Sequence, residues 1–360
     1  MSIPEIFRRV RLTVAVALTA VAVPAVAAEV ADTLLSPAMI VAHPAQAVLL
    51  GVARAGSRLV AVGEHGLVLL SDDDGRGWRQ APTPVGVTLT AVTFPSSRTG
   101  WAVGHRGVIL HSADGGESWS RQLDGAQFAA QAQRQAALNM AAGASSPGRA
   151  LADADLLVRD GADKAFLAVD FTDDRHGLAV GAYGLCARTG DGGEHWVSCM
   201  TQLPNPKAAH LYAIARSGSV TWIAGEQGLL LRSAGDEPFL PVPVSYGGTF
   251  FCLGIAGNGD VLLGGLRGNA FASTDGGSVF KRLDVGRVGS CAAMRSADGR
   301  LLAADDLGQI SRYDPALHAL SVLPGPPQAP LSDFISLPRG ELLTVGVRGV
   351  SVRPGRSAPL

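Results

Sequence analysis

Four carboxylates in this 360-residue chain stand in one recurring setting, and the setting limits the chemistry open to them. The pattern is Ser-x-Asp-x-Gly-x-x-Trp, with Ser71, Asp73 and Trp78 in one copy, Ser112, Asp114 and Trp119 in the next, then Thr189, Asp191 and Trp196. A fourth copy keeps Ser273 and Asp275 and replaces the Trp with Phe280. In such a hairpin the carboxylate accepts backbone N–H groups, the glycine permits positive φ, and the aromatic ring tucks beneath the turn. That role is structural. Glycoside hydrolysis of the retaining kind needs two carboxylates roughly 5 Å apart in one pocket. The run Asp72-Asp73-Asp74 lacks the ordered ligand series of a calcium loop. No His-x-His or Glu-x-x-His pair occurs, so neither a metal nor a cofactor is expected.

A second recurring set is better suited to recognition. Gly-x-x-Gly turns begin at Gly63, Gly104, Gly181, Gly225, Gly265 and Gly346, with a degraded copy from Asp305 to Gly308. Their third positions read His65, Arg106, Tyr183, Gln227, Arg267, Leu307 and Arg348. These turns join antiparallel strands with no helix following, so they are not phosphate loops. Arg106, Arg267 and Arg348, with His65, His105 and Tyr183, are the candidate partner-binding residues. A guanidinium there could grip a partner carboxylate in two places or stack on an aromatic ring. The alternative is solvated turn residues, or pairing with neighbours such as Glu64 and Glu226.

The elements that must position both sets follow from the spacing. Successive turns lie 41, 77, 44, 40, 40 and 41 residues apart, so one insertion of roughly 36 residues interrupts a steady period. A period of about 40 to 44 residues fits a four-stranded propeller blade, and seven copies predict an all-β, seven-bladed β-propeller with antiparallel blades. Within each blade the Gly-x-x-Gly turn joins the second and third strands and the Asp hairpin joins the third and fourth. The two sets therefore lie on opposite faces. Too few residues follow the third strand of blade 7 to make a fourth, and the apolar segment Ala38–Ala42 is expected to complete that blade.

The insertion, about 123–164, falls between blades 2 and 3. AQFAAQAQRQAALNMAA and ALADADLLVRD are rich in helix formers, which predicts two short helices; an Ala-rich loop is the competing reading. Residues 1–28 carry Arg8, Arg9 and Arg11, an apolar run and an Ala25-x-Ala27 pattern, the layout of a secretory signal peptide. The propeller is then expected over 29–352, followed by a tail at 353–360, exported to a periplasm or thylakoid lumen with no later membrane span. Cys186 and Cys199 flank a hairpin and could form a cross-strand disulfide in that compartment. Cys252 and Cys291 fall on opposite pleat faces of equivalent strands, facing each other or directly away. With 47% hydrophobic residues, 17% charged and a formal net charge of −1, the chain has ample core and no global attraction to nucleic acid.

Repeats such as GWAVGHRGVILHSADGGESW and LYAIARSGSVTWIAGEQGLLLRS resemble the BNR, or Asp-box, propellers of the photosystem II stability and assembly factor-like family, over about Leu34 to Val352. The resemblance implies a non-enzymatic scaffold that docks a membrane-associated protein client on an arginine-bearing surface, for which Arg106, Arg267 and Arg348 are the matching positions. It implies a photosystem II subunit as client in a photosynthetic organism, and an envelope transporter elsewhere. The enzymatic alternative is a sialidase-like glycosidase, since those also carry Asp hairpins. Such an enzyme would need an arginine triad and a nucleophilic tyrosine, and the only tyrosines are Tyr183, Tyr212, Tyr246 and Tyr313.

Overall fold

The computed structural model describes residues 32–353, apart from 142–146, 287–288, 298, 326–328 and 339. The leader expected at 1–28 and the tail from 354 onward lie outside the described residues. Seven sheets surround a central axis, and their innermost strands are Leu49–Ala55, Leu89–Thr93, Phe166–Phe171, Leu211–Ser217, Phe250–Ile255, Cys291–Ala297 and Leu331–Ser336. Each inner strand packs on the next, and Leu331–Ser336 packs on Leu49–Ala55 to close the ring. The seven-bladed propeller read from the repeat period is the observed fold.

Burial explains why a blade cannot stand alone. Second strands such as Gly100–Gly104 and Gly177–Gly181 are buried along their whole length, because neighbouring blades cover both faces. The core is accordingly a series of clusters between blades. Trp101 stacks on Phe171 of the next blade with centroids 3.5 Å apart, and Trp196 meets Phe171 edge-on at 5.9 Å.

The insertion forms two helices, α1 (Gly125–Ala141) and α2 (Pro147–Asp160), between blades 2 and 3. Asp124 caps α1 by accepting the Gln127 N–H at 2.9 Å, while the Gln127 side chain accepts the Asp124 N–H at 3.1 Å. Phe128, Ala132 and Ala136 recur every fourth residue and are buried with Leu157 of α2 against Phe166 and Trp196. This packing favours helices over a loop.

Two blades depart from the expected plan. Blade 6 gains a fifth strand, because Asp284–Val285 pairs parallel to the outer strand Ala319–Val322. Blade 7 has three strands among the described residues. The segment 38–42, expected to be its fourth, forms no strand. Instead Ala38 donates its N–H to Thr83 O at 3.2 Å, and the Gln80 amide bonds Met39 O at 2.9 Å and Val41 N–H at 3.1 Å, all on blade 1. The ring closes by other means. Asp333 of blade 7 is nearly buried, accepts the Val52 N–H of blade 1 at 3.0 Å, and holds Arg295 of blade 6 through Nε at 3.0 Å. One carboxylate thus ties three inner strands.

Two disulfides add covalent links. Cys186 bonds Cys199, whose Cα lies 5.0 Å away just beyond the outer strand of blade 3. Cys252 bonds Cys291, so the two face each other and join the inner strands of blades 5 and 6.

Candidate functional site

The Asp hairpins are closed units. Ser71 Oγ donates to Asp73 Oδ1 at 2.8 Å and accepts the Gly75 N–H at 2.9 Å. Asp73 Oδ1 also takes the N–H groups of Arg76 and Gly77, and Trp78 Nε1 donates to Gly75 O at 3.0 Å. Ser112 with Asp114, Thr189 with Asp191, and Ser273 with Asp275 repeat the arrangement. Backbone donation from His195 holds the Asp191 carboxyl down at about 2. Carboxylates engaged in this way are poor proton donors. Asp72 belongs to a surface ion-pair group with Arg58, Arg79 and Glu117. Asp191, Glu194 and His195 bring ligand atoms within 4.8 Å of one another, a grouping their spacing did not signal, but Asp191 is already committed to its hairpin.

On the other face, five turns share one backbone shape. His65, Arg106, Tyr183, Gln227 and Arg267 all have φ between 53° and 58°, in the left-handed region. The flanking glycines are required by close approach: a Cβ on Gly104 would lie 2.1 Å from Thr88 O, and one on Gly66 would lie 1.9 Å from Val85 O. Each turn is therefore pinned against the links between blades, and its third side chain is held outward. Arg348 differs, because Gly346 and Gly349 pair directly around a two-residue turn.

The six candidate residues do not form one cluster. Arg106 is engaged within the protein, donating to Asp32 Oδ1 at 2.7 Å and to Ala162 O at 3.1 Å, where the N-terminal segment meets the insertion. Arg267 and Arg348 are exposed, with no side-chain hydrogen bond or ion pair among the described residues. Beside them on the turns of blades 5 to 7 stand the exposed apolar residues Leu266, Leu307 and Val347. His65 and His105 are exposed on blades 1 and 2. Tyr183 belongs to a different group. Its ring lies 4.6 Å from that of His210, with the Lys164 ammonium 5.2 Å from its centroid. His210 leads on to Tyr212, and Tyr212 meets Phe251 edge-on at 5.0 Å, making an aromatic row across blades 3 to 5.

Sequence reasoning missed most of that row. His210 and Lys164 lie in the links that precede inner strands, on the same face as the turns, so the topology was the available signal. Next to the row a cleft of about 410 Å³ is lined by Lys207, Glu226, Gln227, Pro241, Pro243 and Tyr246 among others. Lys207 Nζ donates to Gln227 Oε1 at 3.0 Å, and Glu226 accepts the His210 N–H at 3.0 Å. Tyr212 and Tyr313 are both pushed up, by burial first and then by Glu226 and Asp260 respectively, which disfavours the phenolate a nucleophile needs. The face offers guanidinium groups, aromatic rings and apolar surface, which suits recognition of another macromolecule.

Fold and turn rim together define a seven-bladed propeller of the hairpin-repeat class. The chain belongs to the family described as photosynthesis system II assembly factor YCF48, whose model matches residues 40–143 and 156–312. A curated relative from Synechococcus sp. (strain CC9902), photosystem II assembly lipoprotein Ycf48, is 30% identical over 146 residues, which is 39% of this chain and 44% of that protein. The match thus spans less than half the relative's length. Among solved structures, YCF48 bound to D1 peptide superposes with a TM-score of 0.61 at 15% identity, covering 88% of this chain and 98% of that one. YCF48 from Cyanidioschyzon merolae gives 0.61 at 17% identity, over 86% and 96%. The RRP9 WD40 repeats reach 0.63 at only 10% identity, covering 89% and 98%, so these likenesses speak for the fold alone.

Proposed function

We propose that this chain is a non-enzymatic assembly factor that holds a membrane-associated protein client on the face bearing the Gly-x-x-Gly turns. The observation that carries this reading is membership of the assembly-factor family together with the exposed, uncompensated Arg267 and Arg348 on that face. Arg267 and Arg348 grip client carboxylates, and the neighbouring Leu266, Leu307 and Val347 supply apolar contact. His65, His105 and Tyr183 extend the same face. Arg106 acts as a positioning residue, through Asp32 and Ala162.

The relatives' names point to a photosystem II subunit as client, with D1 the first to test. Export to a periplasm or thylakoid lumen accompanies this reading. No helix among the described residues is long and apolar enough to cross a bilayer. The test is co-purification from detergent-solubilised membranes of the source organism, comparing the native chain with Arg267→Ala/Arg348→Ala. Recovery of a photosystem II reaction-centre subunit, reduced about tenfold by the double substitution at unchanged melting temperature, supports the proposal. Recovery of an envelope transporter alone overturns the photosystem client, and equal recovery by the variant overturns the arginine rim.

A further inference from the structure

Among the described residues blade 7 ends on an edge, and the six other blades show what fits there. Thr344 pairs with Ser351 as Ala61 pairs with Leu69, so Val350 occupies the place that Val68 holds in blade 1. Because Gly346 and Gly349 flank a two-residue turn they form a hydrogen-bonded pair, which leaves the N–H and C=O groups of Val350 and Val352 pointing away from the blade. No hydrogen bond reaches these groups among the described residues. Val352 is 41% exposed.

The carbonyl equivalent to Val350 O is occupied in other blades. It accepts the N–H of Cys199 at 2.9 Å, of Val242 at 2.8 Å, of Leu283 at 2.9 Å and of Leu323 at 2.8 Å in blades 3 to 6. Ala81 and Leu123 pair with the same position in blades 1 and 2. All six are small or aliphatic, and most are buried. The residues before them, such as Arg79-Gln80 and Lys281-Arg282, are largely solvated. Residues 44–46 bound the open position on one side: Ala45 O lies 1.9 Å from where a Cβ on Gly349 would be, as Val85 O does beside Gly66. Met39 and Val41, which could otherwise fill the position, are bonded to Gln80 on blade 1.

We propose that the strand Gly349–Arg353 is a docking edge that takes up an extended segment of a partner polypeptide, antiparallel, as the fourth strand of blade 7. Exposed backbone groups with no partner among the described residues call for another backbone. The segment it accepts has two or three solvated residues followed by a small or aliphatic one whose N–H reaches Val350 O. The edge begins one residue after Arg348, but the arginine substitutions and Val352→Pro probe rim and edge separately, so either proposal can fail alone.

The probe is the fluorescein-labelled peptide Ser-Trp-Ser-Arg-Gln-Leu-Asp-Gly, copying the fourth strand of blade 2, titrated against the full chain by anisotropy. Saturable binding is expected. N-methylation of the peptide's Leu amide should weaken it at least about tenfold, as should Val352→Pro, which removes only an outward N–H. A melting curve checks that this variant folds, and the N-methylated peptide serves if it does not. Absence of saturable binding, or equal binding of the N-methylated peptide, overturns the proposal. So does slow exchange of the Val350 and Val352 amides in the free protein, which would place the chain's own segment on the edge. A concentration-dependent dimer lost in Val352→Pro overturns it as well, since the edge would then serve a second copy.

Discussion

The Asp191 carboxylate accepts from its own hairpin, taking the Thr189 hydroxyl at 2.8 Å and the His195 N–H at 3.0 Å. Its carboxyl sits at about 2 against an ordinary 3.8, and Asp73 is lowered too, first by the Gly77 N–H and then by Ser71. A depressed carboxyl contributes stability that is fully present above its unfolded value and lost as pH falls through the folded one. The melting temperature should therefore drop as pH falls from about 4 to 2, and the drop should be shallower in Asp191→Asn, as read by circular dichroism. An equal slope in both proteins would remove Asp191 from the account. Arg106 shows the limit of reading residues singly. It was expected among the partner-binding residues, yet its guanidinium bonds Asp32, which is distant in sequence and invisible to any local pattern. Arg106→Ala is expected to lower stability by about 1 kcal/mol with the rim intact, measured by denaturant titration.

The period of about 40 residues made the blades and both faces legible before any coordinate, because turn residues and hairpin carboxylates recur at fixed offsets. The insertion was half legible. Its Ala- and Gln-rich composition signalled helices, whereas a packing stripe made largely of alanines gave a weak hydrophobic signal. What fixes α1 is the Asp124–Gln127 box and Phe128, whose ring meets Phe166 edge-on at 5.7 Å. Asp124→Ala should cost about 1 kcal/mol and Phe128→Ala about 3 kcal/mol in unfolding free energy. Values near zero for both would mean the insertion is not packed on the ring. The segment 38–42 was misplaced for a different reason. Its apolar pattern suits the outer edge of blade 7 or of blade 1, and the choice rests on the Gln80 amide, which no periodicity encodes.

At the scale of the ring, closure among the described residues rests on inner strands, with no shared outer strand. Asp333 accepts from Val52, Arg295 and its neighbour Phe334, so Asp333→Ala leaves several donors without an acceptor and should cost about 2 kcal/mol. Loss of cooperativity between blades 7 and 1 in hydrogen exchange would accompany it. The ring in turn separates two faces, one of self-contained carboxylate hairpins and one of turns with exposed arginines, and the functional reading places the client on the second. Hydrogen–deuterium exchange of the complex with its purified client tests this most directly. Protection is expected at the turns around Leu266–Gly268 and Val347–Gly349, with the hairpins Ser71–Trp78, Ser112–Trp119 and Thr189–Trp196 exchanging as in the free protein. Protection confined to those hairpins, or none on either face, would contradict it.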